Sequence, residues 1–191
     1  LLHLNFSVWP MTGLVLSFLL WAVPVLLAIT LHEAAHGYAA QRLGDSTAYL
    51  AGRISINPMR HIDPVGTVLV PALIVLAGQL SGLNFPPFGW AKPVPVNFSQ
   101  LHNPKRDMIW VAAAGPLANL VQAFGWGGLL SLQNQLGGYG GEYFHSMAQA
   151  GIVANLALML LNLLPIPPLD GGRIVVGLLP FPFAWRFAQL E

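Results

Sequence analysis

The sequence contains no cysteine. Disulfides, thiolate metal sites and thiol nucleophiles are therefore excluded, and any metal has to be held by His, Asp or Glu. Charge is scarce as well. Only 8% of the 191 residues are charged, against roughly a quarter in an ordinary soluble domain. Eight Lys/Arg and seven Asp/Glu leave a formal net charge of +1, with no basic stretch of the kind that holds nucleic acid, so nucleic acid is not expected as a partner. No basic segment precedes the first apolar run, so no cleavable signal peptide is expected. No fixed-period repeat and no low-complexity tract occurs, and no insert is long enough to form a separate soluble domain.

What remains is apolar. Hydrophobic residues make up 55% of the chain and the mean hydropathy is +0.62, a composition that calls for lipid as solvent. The run from Met11 to Leu31 carries no charge and is long enough to cross a bilayer; with no stop signal before Gly44 the helix is expected to continue to about Leu43, with an irregularity at Pro24. Further helices are expected at 108–130 and 148–164. The run from Val65 to Leu83 opens with Asp63 as N-cap and Pro64 at the first helical position, but Pro71 and Gly78 interrupt it. Prolines at alternate positions, Pro93 and Pro95, make Val94 and Val96 part of an extended stretch. A last apolar segment, 174–187, is broken by Pro180 and Pro182 and reads as a partial or interfacial helix. Trp9, Trp90, Trp110 and Trp185 lie near the ends of apolar runs, where interfacial anchoring is expected. The expected fold is thus a single all-α polytopic membrane domain over 1–191, a transmembrane helix bundle with a re-entrant segment and a short β-like stretch.

Three ionisable residues stand at the end of the first apolar run: "HEAAH", residues 32–36. Residues four apart share a helix face, so His32 and His36 can both offer a ring nitrogen to one ion, and Glu33 stands where its carboxylate can take a proton from a water on that ion. Burying such groups at membrane depth costs several kcal/mol unless they are paired or metal-bound. Zinc takes three protein ligands in a catalytic site and keeps the fourth position open. The third ligand has to come from His3, His61, His102, His145, Asp45, Asp63, Asp107, Glu142, Asp170 or Glu191. Asp63 is accounted for as a helix cap, His61 lies in a polar loop, and Asp107 follows Lys105 and Arg106 in a charge cluster. Asp170 follows a long apolar helix and a proline-rich turn, and the two glycines after it permit close backbone approach; on its own it also reads as a simple Asp-Gly turn.

HEAAH on an apolar helix, "AAAGPLANL" on a later one and "NLLPIPPLDGG" after another occur in that order. Together they resemble the site-2 protease family of intramembrane zinc metalloproteases, across about residues 11–180. The resemblance implies one Zn2+ held by His32, His36 and Asp170, and Glu33 as the catalytic base that activates water. It also marks Asn119 and Asn162 as positions that orient substrate or stabilise an oxyanion, with interhelical hydrogen bonding as the plainer role. The chain looks like a compact bacterial-type subgroup without a PDZ domain, which implies a multi-pass protein of the bacterial cytoplasmic membrane. The implied partner is a transmembrane protein or peptide within the lipid bilayer; nothing in the sequence specifies an oligomeric state. Two other classes fit an apolar chain with a metal motif: a metal-gated transporter, which would need a polar stripe through several spans, and a catalytically silent membrane scaffold, in which Glu33 would be dispensable.

Charge placement sets an expected orientation. Arg42, Arg53 and Arg60 precede the 65–83 run, Lys92, Lys105 and Arg106 follow it, and 131–147 has no Lys or Arg. The positive-inside rule puts the first two loops in the cytoplasm, with the metal motif towards that face. If 65–83 crossed the membrane, Asp170 would end on the side away from the histidines. A re-entrant hairpin, turning at Pro71, Gly78 or Pro86-Pro87, is therefore expected. Val94 and Val96 are the positions at which an unwound substrate would pair as an added strand.

Overall fold

The computed structural model describes residues 11–82, 89–135 and 141–190. The first helix, α1 (Met11–Arg42), runs through Pro24, which is fully buried. Its end follows from Gly44. With φ of +113° this glycine lets Asp45 N–H reach the carbonyl of Ala40 (2.9 Å) and Gly44 N–H that of Gln41 (3.3 Å). These paired bonds satisfy the last carbonyls and turn the chain out of the helix. A single turn, α2 (Thr47–Leu50), follows.

Asp63 caps the next segment as its sequence suggests, its carboxylate accepting the N–H groups of Val65 and Gly66. Pro71 has no N–H to give to the turn before it, and the chain accommodates this with a π-helical stretch, Pro64–Leu69, before α3 (Val70–Ser81). Among the described residues α3 packs chiefly against that stretch, and closes on Gly82 at φ +70°. Residues 90–97 carry neither helix nor strand. Among the described residues the β-like stretch is extended chain without a strand partner. His3, Trp9, Leu83, Pro86, Pro87 and Glu191 lie outside the described residues.

α4 (Pro104–Gln135) and α5 (Gly141–Asn162) both begin earlier than their apolar runs. At α4 the start is fixed by Asp107. Instead of sitting in a solvated charge cluster it is 6% exposed and accepts Asn103 N–H at 2.7 Å. α5 stops at Asn162, before the prolines. Two short helices complete the chain, α6 (Asp170–Leu178) and α7 (Phe181–Ala188), so the expected 174–187 segment is two helices separated at Pro180.

α1, α4 and α5 pack on one another, and α6 lies against α4. Within α1 the stretch Leu20–Arg42, together with α4 and α5, is long and apolar enough to cross a membrane. Much of their outer surface is large and apolar, as at Val121, Phe124 and Leu160, which is what lipid would cover. Small residues set the close contacts. A Cβ on Gly151 of α5 would meet the Trp126 ring of α4 at 2.4 Å. The C-terminal half of α1, the N-terminal half of α4 and the chain after α5 come together at one end of the bundle, where the polar residues gather.

Candidate metal centre

His32 and His36 project from α1 on one face, as their spacing requires. Asp170, the first residue of α6, comes against both: its Oδ2 is 3.3 Å from His32 Nε2 and 3.3 Å from His36 Nε2. The two Nε2 atoms are 3.0 Å apart. One ligand atom from each of the three residues lies within 4.8 Å of the others, the spacing of a group that can hold a metal ion.

The outer nitrogens decide how the inner ones are protonated. His36 Nδ1 is 2.7 Å from the backbone carbonyl of Val111, which can only accept, so Nδ1 carries the proton. His32 Nδ1 is 2.6 Å from Oδ1 of Asn119, also an acceptor. In its neutral form each ring therefore turns an Nε2 lone pair towards Asp170. Two lone pairs at 3.0 Å cannot bond to one another, and Asp170 Oδ2 is buried with no hydrogen-bond partner. With both rings neutral, three acceptors converge without a donor, and a cation resolves all three. The donor set, two imidazoles and a carboxylate, suits zinc.

Backbone approach makes this possible. A Cβ on Gly115 would stand 2.4 Å from His36 Nε2, so only glycine lets α4 pass the histidine pair. At Gly171 and Gly172 a Cβ would collide with the backbone of Leu163, Leu164, Ile166 and Pro167. The glycines after Asp170 thus press the start of α6 onto the proline turn, the close approach their sequence suggests, and that holds Asp170 at the histidines.

Glu33 points another way around α1. Its Oε2 accepts Val94 N–H at 2.7 Å. Gly37, one turn on and on the same face, leaves room for this segment, since a Cβ there would already be 3.1 Å from Val94. Asp45, fully buried, accepts Asn97 N–H at 2.7 Å together with the N–H and hydroxyl of Thr47. Burial opposes its charge, but those three bonds outweigh it and hold the carboxyl below its ordinary pKa. Arg53 adds bonds to the carbonyls of Lys92 and Pro93. The proline-rich segment is thus laid along α1 by two carboxylates and an arginine.

The chain is 40% identical over 176 residues to a Bacillus subtilis protein named "Putative zinc metalloprotease YwhC", covering 88% of this chain and 73% of that protein. The chain belongs to the site-2 protease family. Two proteins named "Putative zinc metalloprotease Rip2" are also similar. The one from Mycolicibacterium smegmatis is 35% identical over 147 residues, and the one from Mycobacterium tuberculosis 30% over 150. Each alignment covers 76% of this chain, which spans about half of each Rip2 (52%). No family model and no solved structure matches.

The other residues of this site-2 protease family member singled out from the sequence fall into place differently. Asn119 is fully buried, with Oδ1 on His32 and Nδ2 donating to Ala28 O (3.2 Å) and Asn155 Oδ1 (2.9 Å). Both its donors are engaged, so it offers none to an oxyanion in this arrangement. Asn162 donates back to Leu158 of its own helix at 2.9 Å. Val94 stands against Glu33, while Val96 packs beside Ala40, Leu101 and Val111. Of the rejected ligands, Asp63 and Asp107 are caps, His61 Nε2 bonds Ser55 O and His145 bonds Gln149. Sequence reasoning missed Asn155. Its signal was an amide inside an uncharged apolar helix, where an unpaired polar group is costly.

Proposed function

We propose that the protein is an intramembrane zinc endopeptidase that hydrolyses a peptide bond in or near a transmembrane segment of another protein. The observation that carries this is Asp170 Oδ2, buried without a hydrogen-bond partner and 3.3 Å from the Nε2 atoms of both His32 and His36. His32, His36 and Asp170 would hold one Zn2+, which supplies a Lewis acid that polarises the scissile carbonyl and lowers the pKa of water. Glu33 is the general base. Val94 N–H orients its carboxylate through Oε2, leaving Oε1 to take the proton from the attacking water and pass it to the leaving amine.

The extended segment is the docking edge for the substrate. A regular helix hides its carbonyls, so the substrate has to unwind, and an unwound segment needs a backbone partner. Pro93 and Pro95 carry no N–H and Val94 N–H is engaged by Glu33, so pairing would use the Val94 carbonyl and the Val96 N–H. Asn162, at the end of α5, is the remaining amide for the substrate carbonyl.

The protein is read as lying in the bacterial cytoplasmic membrane with this end of the bundle towards the cytoplasm. Support for a re-entrant 64–81 segment comes from the contacts of His36 with Val111 and of His32 with Asp170. They bring the end of α1, the start of α4 and the chain after α5 together, which supports a stretch between α1 and α4 that leaves and returns on one side.

The test is metal analysis of the purified protein with cleavage of a model membrane substrate. Wild type should hold one zinc and cleave. Glu33→Gln should keep zinc and lose on the order of 10²–10⁴-fold in rate. His32→Ala and His36→Ala should lose zinc itself. Retained cleavage by Glu33→Gln would remove the general base, and full zinc occupancy in both histidine variants would place the ion elsewhere.

A further inference from the structure

We propose that Asn155, on α5, is a positioning residue for the ligand His32, acting through Asn119; the inference rests on the metal reading above. Asn155 Nδ2 donates to the carbonyl of Gly151, one turn back, at 2.8 Å. That carbonyl can only accept, so the amide has one orientation and presents Oδ1 to α4. There it accepts from Asn119 Nδ2 at 2.9 Å. The second hydrogen of Asn119 goes to Ala28 O at 3.2 Å, which leaves Oδ1 facing His32 Nδ1 at 2.6 Å. A backbone carbonyl on α5 thus determines, through two side-chain amides, which nitrogen of His32 carries the proton.

Both asparagines are fully buried, so water cannot replace a missing partner. Without Asn155 only the longer bond to Ala28 would hold Asn119. Its amide could then turn its NH2 towards His32 Nδ1, favouring the tautomer protonated on Nε2, whose hydrogen points where the ion must sit. His36 needs no such chain, because its Nδ1 faces the carbonyl of Val111, which cannot rotate. The relay requires close contact between α4 and α5, which Gly151 against Trp126 provides.

The experiment is zinc affinity of the purified full chain in detergent micelles, measured by chelator competition. Asn155→Leu is expected to bind zinc about 10–100-fold more weakly than wild type. In an Asn119→Ala background no side chain links Asn155 to His32, so adding Asn155→Leu should change affinity by less than about threefold. A packing role predicts equal losses in the two backgrounds, and that result would overturn the relay. Asn155→Ser, too short to reach Asn119, is measured beside it in case the leucine variant does not fold. Affinity within about threefold of wild type in either folded variant overturns the relay while leaving the metal reading intact. Absence of zinc from wild type overturns both.

Discussion

Gly115 lies so close to His36 that a Cβ there would stand 2.4 Å from Nε2, and 2.6 Å from Cε1 of His32. Neither ring can simply move aside. His36 is held by Val111 O and His32 by Asn119 Oδ1. Gly115→Ala is therefore expected to destabilise the protein by about 1–3 kcal/mol through overpacking, and to lower zinc occupancy, because relief of the clash displaces one of the proposed ligands. Thermal unfolding and metal analysis check this together. Unchanged stability with full occupancy would show that α4 is not pressed against the histidines.

Asp45 anchors the segment that carries Val94, and its lowered pKa gives that anchor a pH signature. A carboxylate whose folded pKa is depressed contributes stability that is fully present above its unfolded value of about 3.9 and is lost as pH falls through the folded value. Asp45→Asn should therefore be less stable than wild type near neutrality, by about 1–3 kcal/mol for the impaired buried bonds. The gap should narrow below about pH 4. A gap that stays constant from neutral pH down to the acid limit of the native fold would show that the charge of Asp45 contributes nothing.

The chain leaves α1 and enters α4 at one end of the bundle, so Ser55 and Asn97 should face the same side of the membrane. The protein has no native cysteine, so single cysteines at these positions report cleanly. Both should be labelled by an impermeant thiol reagent from the same side of sealed vesicles. Labelling from opposite sides would make 64–81 a full crossing and would separate Asp170 from the histidines.

Much of this was legible in the sequence because it depends on short-range geometry. The spacing of His32 and His36 places both on one helix face in any α-helix. Uncharged runs require lipid, and the aspartate and proline cues at Asp63-Pro64 and Leu164–Asp170 mark where helices begin and stop. Local spacing also put Glu33 beside His32 and His36, but it could not say which backbone group its carboxylate would meet.

What only the tertiary structure decided are the partnerships across the bundle, since a side chain's hydrogen-bond partner from another helix leaves no periodic trace in its own segment. Asp107 looked like one of three solvated charges until α4 was seen to start at Pro104, which brought its carboxylate back onto Asn103 N–H. Asn119 matched a substrate-facing position, but the packing of α1, α4 and α5 turned its oxygen to His32 and both its donors to Ala28 and Asn155. The protonation of His32 is decided the same way. Its sequence sets the ring on the right face of α1, and the acceptor that keeps Nε2 free for an ion arrives from α4, oriented by α5, only when the three helices are packed.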